Sequence, residues 1–323
     1  MTNESKTQPL FLKPIFHHKM WGGTKLKDFN YQINEDQVGE AWLASTYGED
    51  LSIIMNGNFK EQSLKTVWEH HPELFNHHPA DEAFPLLVKI LDAKRNLSIQ
   101  VHPDDYNAGK YFKEPNGKTE CWYILSAEPG SKAYFGHKAQ TADEMKAAIK
   151  NHQLADLLNP IAVKPGDMIY VSAGTLHALG AGIVALEIEQ SSDDTLRFYD
   201  FDRVDAETGK KRPLQVDEAI EVTNFPNVEP DKKMTLPITD KDNKAQTSIL
   251  RAKYFKVSKI NNDKPAVFTT KNNYSINIVI DGTGSLIIDN QKYQVNKGMT
   301  FVLPSPISEY QLEGNLDIIR ITE

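Results

Sequence analysis

The chain lacks several things that would have set its class at once. It has one cysteine, Cys121, in 323 residues. No intrachain disulfide and no paired-cysteine metal site can be built from that, and such usage fits a reducing compartment. It has no excess of positive charge. Lys and Arg number 36 against 44 Asp and Glu, a net charge of −8, with an isoelectric point near 5.7. A surface that tracks a nucleic-acid backbone needs the opposite balance, so nucleic acid is not an expected partner. No apolar run approaches the roughly 18 residues of a membrane-spanning helix, so no membrane partner is expected either. MTNESKTQPL lacks a basic stretch followed by an apolar core. The expectation is a cytoplasmic protein without a secretory leader.

What is present reads as many short strands. The chain is 40% hydrophobic and 25% charged, which is globular, and its length suits two domains. KPIFHHKMWGG, GEAWLAS and LSIIMNG read as strands and turns. SLKTVWEHHPELFN (63–76) suits one or two short helices with Ser63 as N-cap. FPLLVKILDA (84–93) and LSIQVHP (97–103) read as buried strands paired around an AKRN turn, and KTECWYIL (118–125) as another strand. TADEMKAAIKNHQLADLLN (141–159) is the clearest helix, with Thr141 as cap, Glu144 completing a capping box and Pro160 as its stop. VKPGDMIYVSAGTLHAL (163–179) reads as a glycine turn, a strand and a loop that delivers a histidine. GIVALEIEQSS (182–192) reads as a long strand with acids at alternate places. FPNVEPDKKMTLPITDKDNKAQ (225–246) reads as a connector, and strands without a helix follow it.

A weak repeat links VKPGDMIYVSAG (163–174) to VNKGMTFVLPSP (295–306), with Gly166 matching Gly298. The second copy has no histidine near the place of His177. The expectation is a mainly β protein of two jelly-roll β-sandwich domains with a small helical insert. The first spans 1–228, with helical segments at about 63–79 and 141–159. The second spans 229–323.

LSIQVHPDD (97–105) raises the functional question. Side chains alternate along a strand. Leu97, Ile99 and Val101 are expected on one face, and Ser98, Gln100 and His102 on the other. The polar face needs a partner: water, a hydrogen-bond network or a metal. Gln100 and His102, with Glu120 on the next strand and His177 after the glycine turn, form a plausible metal shell. Two imidazoles, a carboxylate and an amide oxygen suit Zn²⁺ and leave a position open for water or substrate. The remaining histidines, His70, His71, His77 and His78 beside the 63–76 segment and His17, His18, His137 and His152, read as surface or packing residues.

LSIQVHPDD, GKTECWYIL, FPLLVKILDA, GEAW and PGDMIYVSAGTLHALG together resemble type I mannose-6-phosphate isomerases of the short bacterial form. The motifs run in the family's order across about residues 10–200. The resemblance implies two cupin-type domains, the second without metal ligands. It implies the interconversion of mannose 6-phosphate and fructose 6-phosphate through an enediol, with one Zn²⁺ per chain and a small sugar phosphate as partner, in a monomer or small homo-oligomer. By resemblance the zinc ligands fall on Gln100, His102, Glu120 and His177, and the phosphate- and substrate-binding positions on Lys89, Ser98 and Lys118. Lys118, Glu187 and Arg197 fall on positions of catalytic or substrate-binding type, with Glu187 expected to shuttle the proton and Arg197 to steer the enediol. Asp200, Asp202 and Glu189 are not assigned roles, and Arg203 reads as an alternative surface cation. One departure is GKTE, with Thr119 where the family more often has proline. Two rivals come from other classes: a non-catalytic metal-binding cupin that binds sugars or regulates, and an Fe²⁺ cupin oxygenase. Neither explains the two lysines.

Overall fold

The computed structural model describes residues 7–205, 208–227, the backbone of 238–239, and 245–323. The expected 228/229 boundary and most of the 225–246 connector lie outside these residues. Most regular structure is β, in three sheets. One has six strands in the order Ile15–Gly23, Val38–Ala44, Leu86–Ala93, Ile183–Gln190, Glu120–Ala127 and Met168–Val171. A five-stranded sheet runs Leu196–Tyr199, Ile99–Val101, His177–Ala178, Lys132–His137, Leu158–Ala162. These two face each other as a sandwich. A nine-stranded sheet holds the C-terminal strands, among them Lys256–Asn262, Ser275–Ile288, Thr300–Leu303 and Glu309–Thr322. Leu10–Leu12, from the first expected domain, pairs with Thr300–Leu303 and so is laced into this third sheet.

Alternation decides what each face meets. On the outer side of the six-stranded sheet, Leu86, Val88 and Ile90 join Val184, Leu186 and Ile188 against Val257, Ile276, Ile278, Val302, Ile319 and Ile321 of the C-terminal sheet. On its inner side, Leu91, Ala93, Ala185, Ile183, Trp122 and Ile124 pack on Leu97, Ala133, Phe135 and Leu179. The outer side of the five-stranded sheet, through Ile99, Val101, Ala178, Leu196 and Phe198, is covered by helices bearing Met145, Leu154, Ala219 and Ile220.

Several expectations need correction. The pairing of Leu86–Ala93 with Ile99–Val101 does not form. Both edges of the former are already taken, by Val38–Ala44 and Ile183–Gln190, so residues 94–98 carry the chain across to the other sheet. Leu97 precedes the strand and packs inside the sandwich, not beside Ile99 and Val101. The 141–159 helix spans only Ala142–Lys150; His152 takes a left-handed φ of +59°, and a short turn of helix, Leu154–Leu157, follows. Pro160 does not stop it but lies in the edge strand Leu158–Ala162, where a missing N–H is tolerated. LSIIMNG forms only isolated bridges at Ile53 and Ile54. Two helices were not expected, Asp105–Tyr111, capped by Asp104 at 2.9 Å from the Asn107 N–H, and Val216–Val222.

Other local readings hold. Ser63 Oγ accepts from the Thr66 N–H, starting the helix Leu64–His70. Thr141 Oγ1 accepts from the Glu144 N–H, while the Glu144 carboxylate takes the Gln140 N–H. The repeat is also real in space: Gly166 (φ +88°) and Gly298 (φ +91°) each make a left-handed turn just before a strand.

Candidate metal and substrate site

The inner face of the six-stranded sheet changes character along its strands. Beyond Leu91, Ala185 and Trp122 come Lys89, Glu187, Glu189 and Glu120. Register brings them together: Lys89 lies opposite Glu187 and Trp42, Glu187 opposite Trp122, and Glu189 opposite Glu120. Directly opposed residues share a face. On the facing sheet Gln100 lies opposite both His177 and Arg197, so these three project from one side of it. Half of the sandwich interior is therefore hydrocarbon and the other half ionisable.

Four side chains converge there. His102 Nε2 lies 3.3 Å from Glu120 Oε2, and His177 Nε2 lies 3.4 Å from Glu120 Oε1. The Gln100 amide end is 3.5 Å from His102 Nε2 and 3.4 Å from His177 Nε2. Each imidazole is oriented from behind. His102 Nδ1–H donates to the Asp194 carbonyl at 2.7 Å, and His177 Nδ1–H to the Thr175 carbonyl at 2.8 Å. A carbonyl can only accept, so both Nδ1 atoms carry the proton and both Nε2 lone pairs face the centre. Burial depresses the pKa of both rings, which keeps them neutral. Ser98 Oγ holds the other end of the Gln100 amide at 2.9 Å. A half-turn of that amide presents its oxygen to the centre, with Ser98 accepting instead.

The arrangement fits a cation and little else. Glu120 is fully buried, and neither carboxylate oxygen has a hydrogen-bond partner among the described residues. Leaving such a group unsatisfied costs about 1–3 kcal/mol or more. Its nearest neighbours are two neutral nitrogen lone pairs that repel it, with the Lys118 ammonium farther off at 3.8 Å. A divalent ion at the centre converts these contacts to ligation, and the N₂O₂ donor set suits a borderline cation.

Beside this cage lies a buried ion network. Lys89 Nζ is 2.7 Å from Asp193 Oδ1, 2.8 Å from Glu189 Oε1 and 4.0 Å from Glu187 Oε2, and it stands 4.6 Å over the Trp42 ring. Lys118 Nζ bonds Glu189 Oε2 and lies 3.8 Å from Glu120 and 3.9 Å from Asp193. Burial disfavours both ammonium charges, but Asp193 and Glu189 outweigh it at Lys89, and Glu189 does so at Lys118, so both lysines stay charged. Glu187 accepts from Trp122 Nε1 at 3.0 Å; burial, then the Glu120 charge, push its pKa up. Arg197 shares the Gln100 face and has a buried Nε without a hydrogen-bond partner among the described residues.

The structure therefore brings Gln100, His102, Glu120 and His177 together, with Ser98 on Gln100 and with Lys89, Lys118 and Glu187 beside them, while Arg197 joins them through the Gln100 face of its strand. Two carboxylates of consequence were not singled out from the sequence, Glu189 and Asp193. The signal for Glu189 was available, because it lies two residues from Glu187 on the same strand face. Asp193 is in a loop, where no periodicity points to it. Asp200 has a structural task, holding Arg203 and Arg212. His78 and His137 serve packing: His78 stacks 3.7 Å from Trp68, and His137 accompanies Phe225. Among the described residues no helix is long and apolar enough to cross a membrane.

Comparison with known proteins follows the same lines. The family model "Phosphomannose isomerase type I, catalytic domain" matches residues 10–149, and "Mannose-6-phosphate isomerase, cupin domain" matches residues 245–323. The chain is 40% identical to the mannose-6-phosphate isomerase ManA of Bacillus subtilis, over 97% of this chain and 98% of that one. It is 37% identical to a mannose-6-phosphate isomerase of Streptococcus mutans, over 97% of each. The crystal structure of a Bacillus subtilis mannose 6-phosphate isomerase superposes with a TM-score of 0.90 at 36% identity, covering 98% of this chain and 99% of that one.

Proposed function

The chain belongs to the type I phosphomannose isomerase family, and from that premise we propose that it interconverts mannose 6-phosphate and fructose 6-phosphate through an enediol, using one Zn²⁺ held by Gln100, His102, Glu120 and His177. The observation that carries the metal is the Glu120 carboxylate, buried, without a hydrogen bond and facing two imidazole lone pairs. Held by these four residues, the ion would supply positive charge that favours the enediol's oxygens.

The chain's own residues do the rest. Glu187 takes the proton from carbon-2 of the open-chain aldose and returns it to carbon-1 of the enediol, while the proton on the carbon-2 hydroxyl is lost and the carbon-1 oxygen gains one. Burial strengthens Glu187 as a base, and Trp122 fixes which oxygen is free. Arg197, a cation on the Gln100 face, stabilises charge that develops on the enediol oxygens. Lys89, Ser98 and Lys118 line the side that receives the phosphate, with Lys118 also near Glu120. The phosphate is remote from the reacting carbons and lends binding energy to positioning. The same reading includes a domain division near 228/229, a monomer or small homo-oligomer, and a cytoplasmic location.

The test is fructose 6-phosphate formation by purified protein, by chelator-stripped protein and by stripped protein given back Zn²⁺. Activity that vanishes and returns supports the reading. A metal-loaded protein that binds the sugar phosphate without turning it over overturns it. Glu187→Gln is expected to lower kcat by about 10²–10⁴ with metal content unchanged; near-wild-type turnover would remove Glu187 as the base.

A further inference from the structure

We propose that the Asp193 carboxylate is a removable plug in the anion pocket: it occupies the place between Lys89 and Lys118 that the substrate's phosphate takes, and it leaves when the phosphate arrives. The inference rests on the reading that these lysines receive the phosphate.

The charges require some such movement. Glu189 contacts both lysines, and Asp193 contacts Lys89 at 2.7 Å and approaches Lys118 to 3.9 Å. Two cations thus face two close carboxylates, with Glu120 3.8 Å from Lys118 and Glu187 4.0 Å from Lys89 beyond them, and no net positive charge is left for a phosphate dianion. Withdrawing one carboxylate shifts that balance toward the lysines and frees donors on Lys89. Exposure selects which one. Side chains of Glu120, Glu187 and Glu189 are 1%, 7% and 0% exposed, whereas that of Asp193 is 38% exposed. A carboxylate already at the water boundary can be rehydrated by rotation about its own side-chain bonds; a buried one cannot.

The backbone permits that rotation without loss of the site. Asp193 lies between Ile183–Gln190 and Leu196–Tyr199. The next residue is tied down twice: the Asp194 N–H donates to Ser192 Oγ at 3.2 Å, and its carbonyl accepts from His102 at 2.7 Å. The Asp193 side chain can therefore swing while the His102 support stays in place. The plug also discriminates. An uncharged sugar gains nothing by displacing Asp193, whereas a phosphate dianion replaces its bonds to Lys89 with charge-assisted bonds of its own.

The probe is inorganic phosphate, titrated calorimetrically into metal-loaded wild-type protein and into Asp193→Asn, a near-isosteric change at a partly exposed side chain. Removing the competing charge is expected to tighten phosphate binding about ten-fold and to lower KM for mannose 6-phosphate more than it changes kcat. Asp193→Ser should shift both quantities in the same direction. Unchanged or weaker phosphate binding by both variants, with a raised KM, would overturn the plug and make Asp193 an anchor for the lysines. Failure of the underlying reading looks different. If neither wild type nor variants bind phosphate while mannose 6-phosphate is turned over, the anion is held elsewhere and the plug is overturned with it. If phosphate binds but no sugar is isomerised, the function fails, and the ratio of phosphate affinities still decides the plug.

Discussion

The two β-units of this chain begin from a matching turn and end with opposite interiors. After Gly166, the strand Met168–Val171 leads to a loop that delivers His177 into the cage. After Gly298, the strand Thr300–Leu303 leads to Pro304, Pro306 and the buried Ile307. No histidine follows His177 anywhere in the sequence. The C-terminal interior is hydrocarbon: Val279, Leu286, Phe301, Leu303, Leu312, Leu316 and Ile318 pack together. Some polar groups buried in that unit have local partners, as where Asn277 donates to Ser275 and Arg320 to the carbonyls of Thr269 and Thr270, while Asn262 Oδ1 and Thr300 Oγ1 have no hydrogen-bond partner among the described residues. In the N-terminal unit the matching space holds the neutral imidazole lone pairs of His102 and His177, the Glu120 carboxylate without a hydrogen bond, and the Lys89–Lys118 ion network. One interior is apolar and the other is lined by ionisable groups. They share a wall, because the sheet that presents Lys89, Glu187 and Glu120 inward is backed by the C-terminal unit on its outer face.

The sharpest way to separate them is Glu120→Gln. Losing the only anionic member of the cage is expected to cut isomerase turnover by 10³-fold or about that, the upper range for one well-aimed charge. It should also abolish the rise in Tm expected when Zn²⁺ binds the wild type, a stabilisation of about 2.7 kcal/mol at a hundred times Kd. A preserved Zn²⁺-dependent Tm shift would break the assignment of the cage.

Phe301→Ala addresses the other interior. Phe301 is 1% exposed within the C-terminal cluster, and its truncation should destabilise the protein by about 3–5 kcal/mol in urea unfolding. Zn²⁺ affinity of the folded variant should not change. A large loss of metal affinity would mean that the two interiors are coupled through their shared wall.

The smallest effects lie at the paired turns. Alanine at either glycine meets an unfavourable left-handed φ, worth about 1–2 kcal/mol. At Gly166 the added methyl has open space, with Tyr123 Oη 4.0 Å away; at Gly298 it falls 2.0 Å from the Phe29 carbonyl oxygen. Gly298→Ala is therefore expected to cost at least about 1 kcal/mol more than Gly166→Ala. Equal losses would show that the contact between Phe29 and the second turn yields without strain.

Much of the site was legible because strands have a strict period. Gln100 and His102 two residues apart, and Glu187 and Glu189 likewise, share faces as long as the chain there is extended. The caps at Ser63 and Thr141, and the turns at Gly166 and Gly298, were equally local, since each needs only a few consecutive residues to satisfy its own backbone. What the sequence could not decide was which strands meet. The hairpin expected between Leu86–Ala93 and Ile99–Val101 was a local inference, overruled because Leu86–Ala93 had both edges occupied by strands distant in sequence. The same long-range pairing set Glu189 opposite Glu120 and brought Asp193 to Lys89. The polar and apolar faces were determined by residue order. The balance of charge inside the sandwich was decided only by tertiary structure, because Coulomb energy depends on distances that chain separation does not specify.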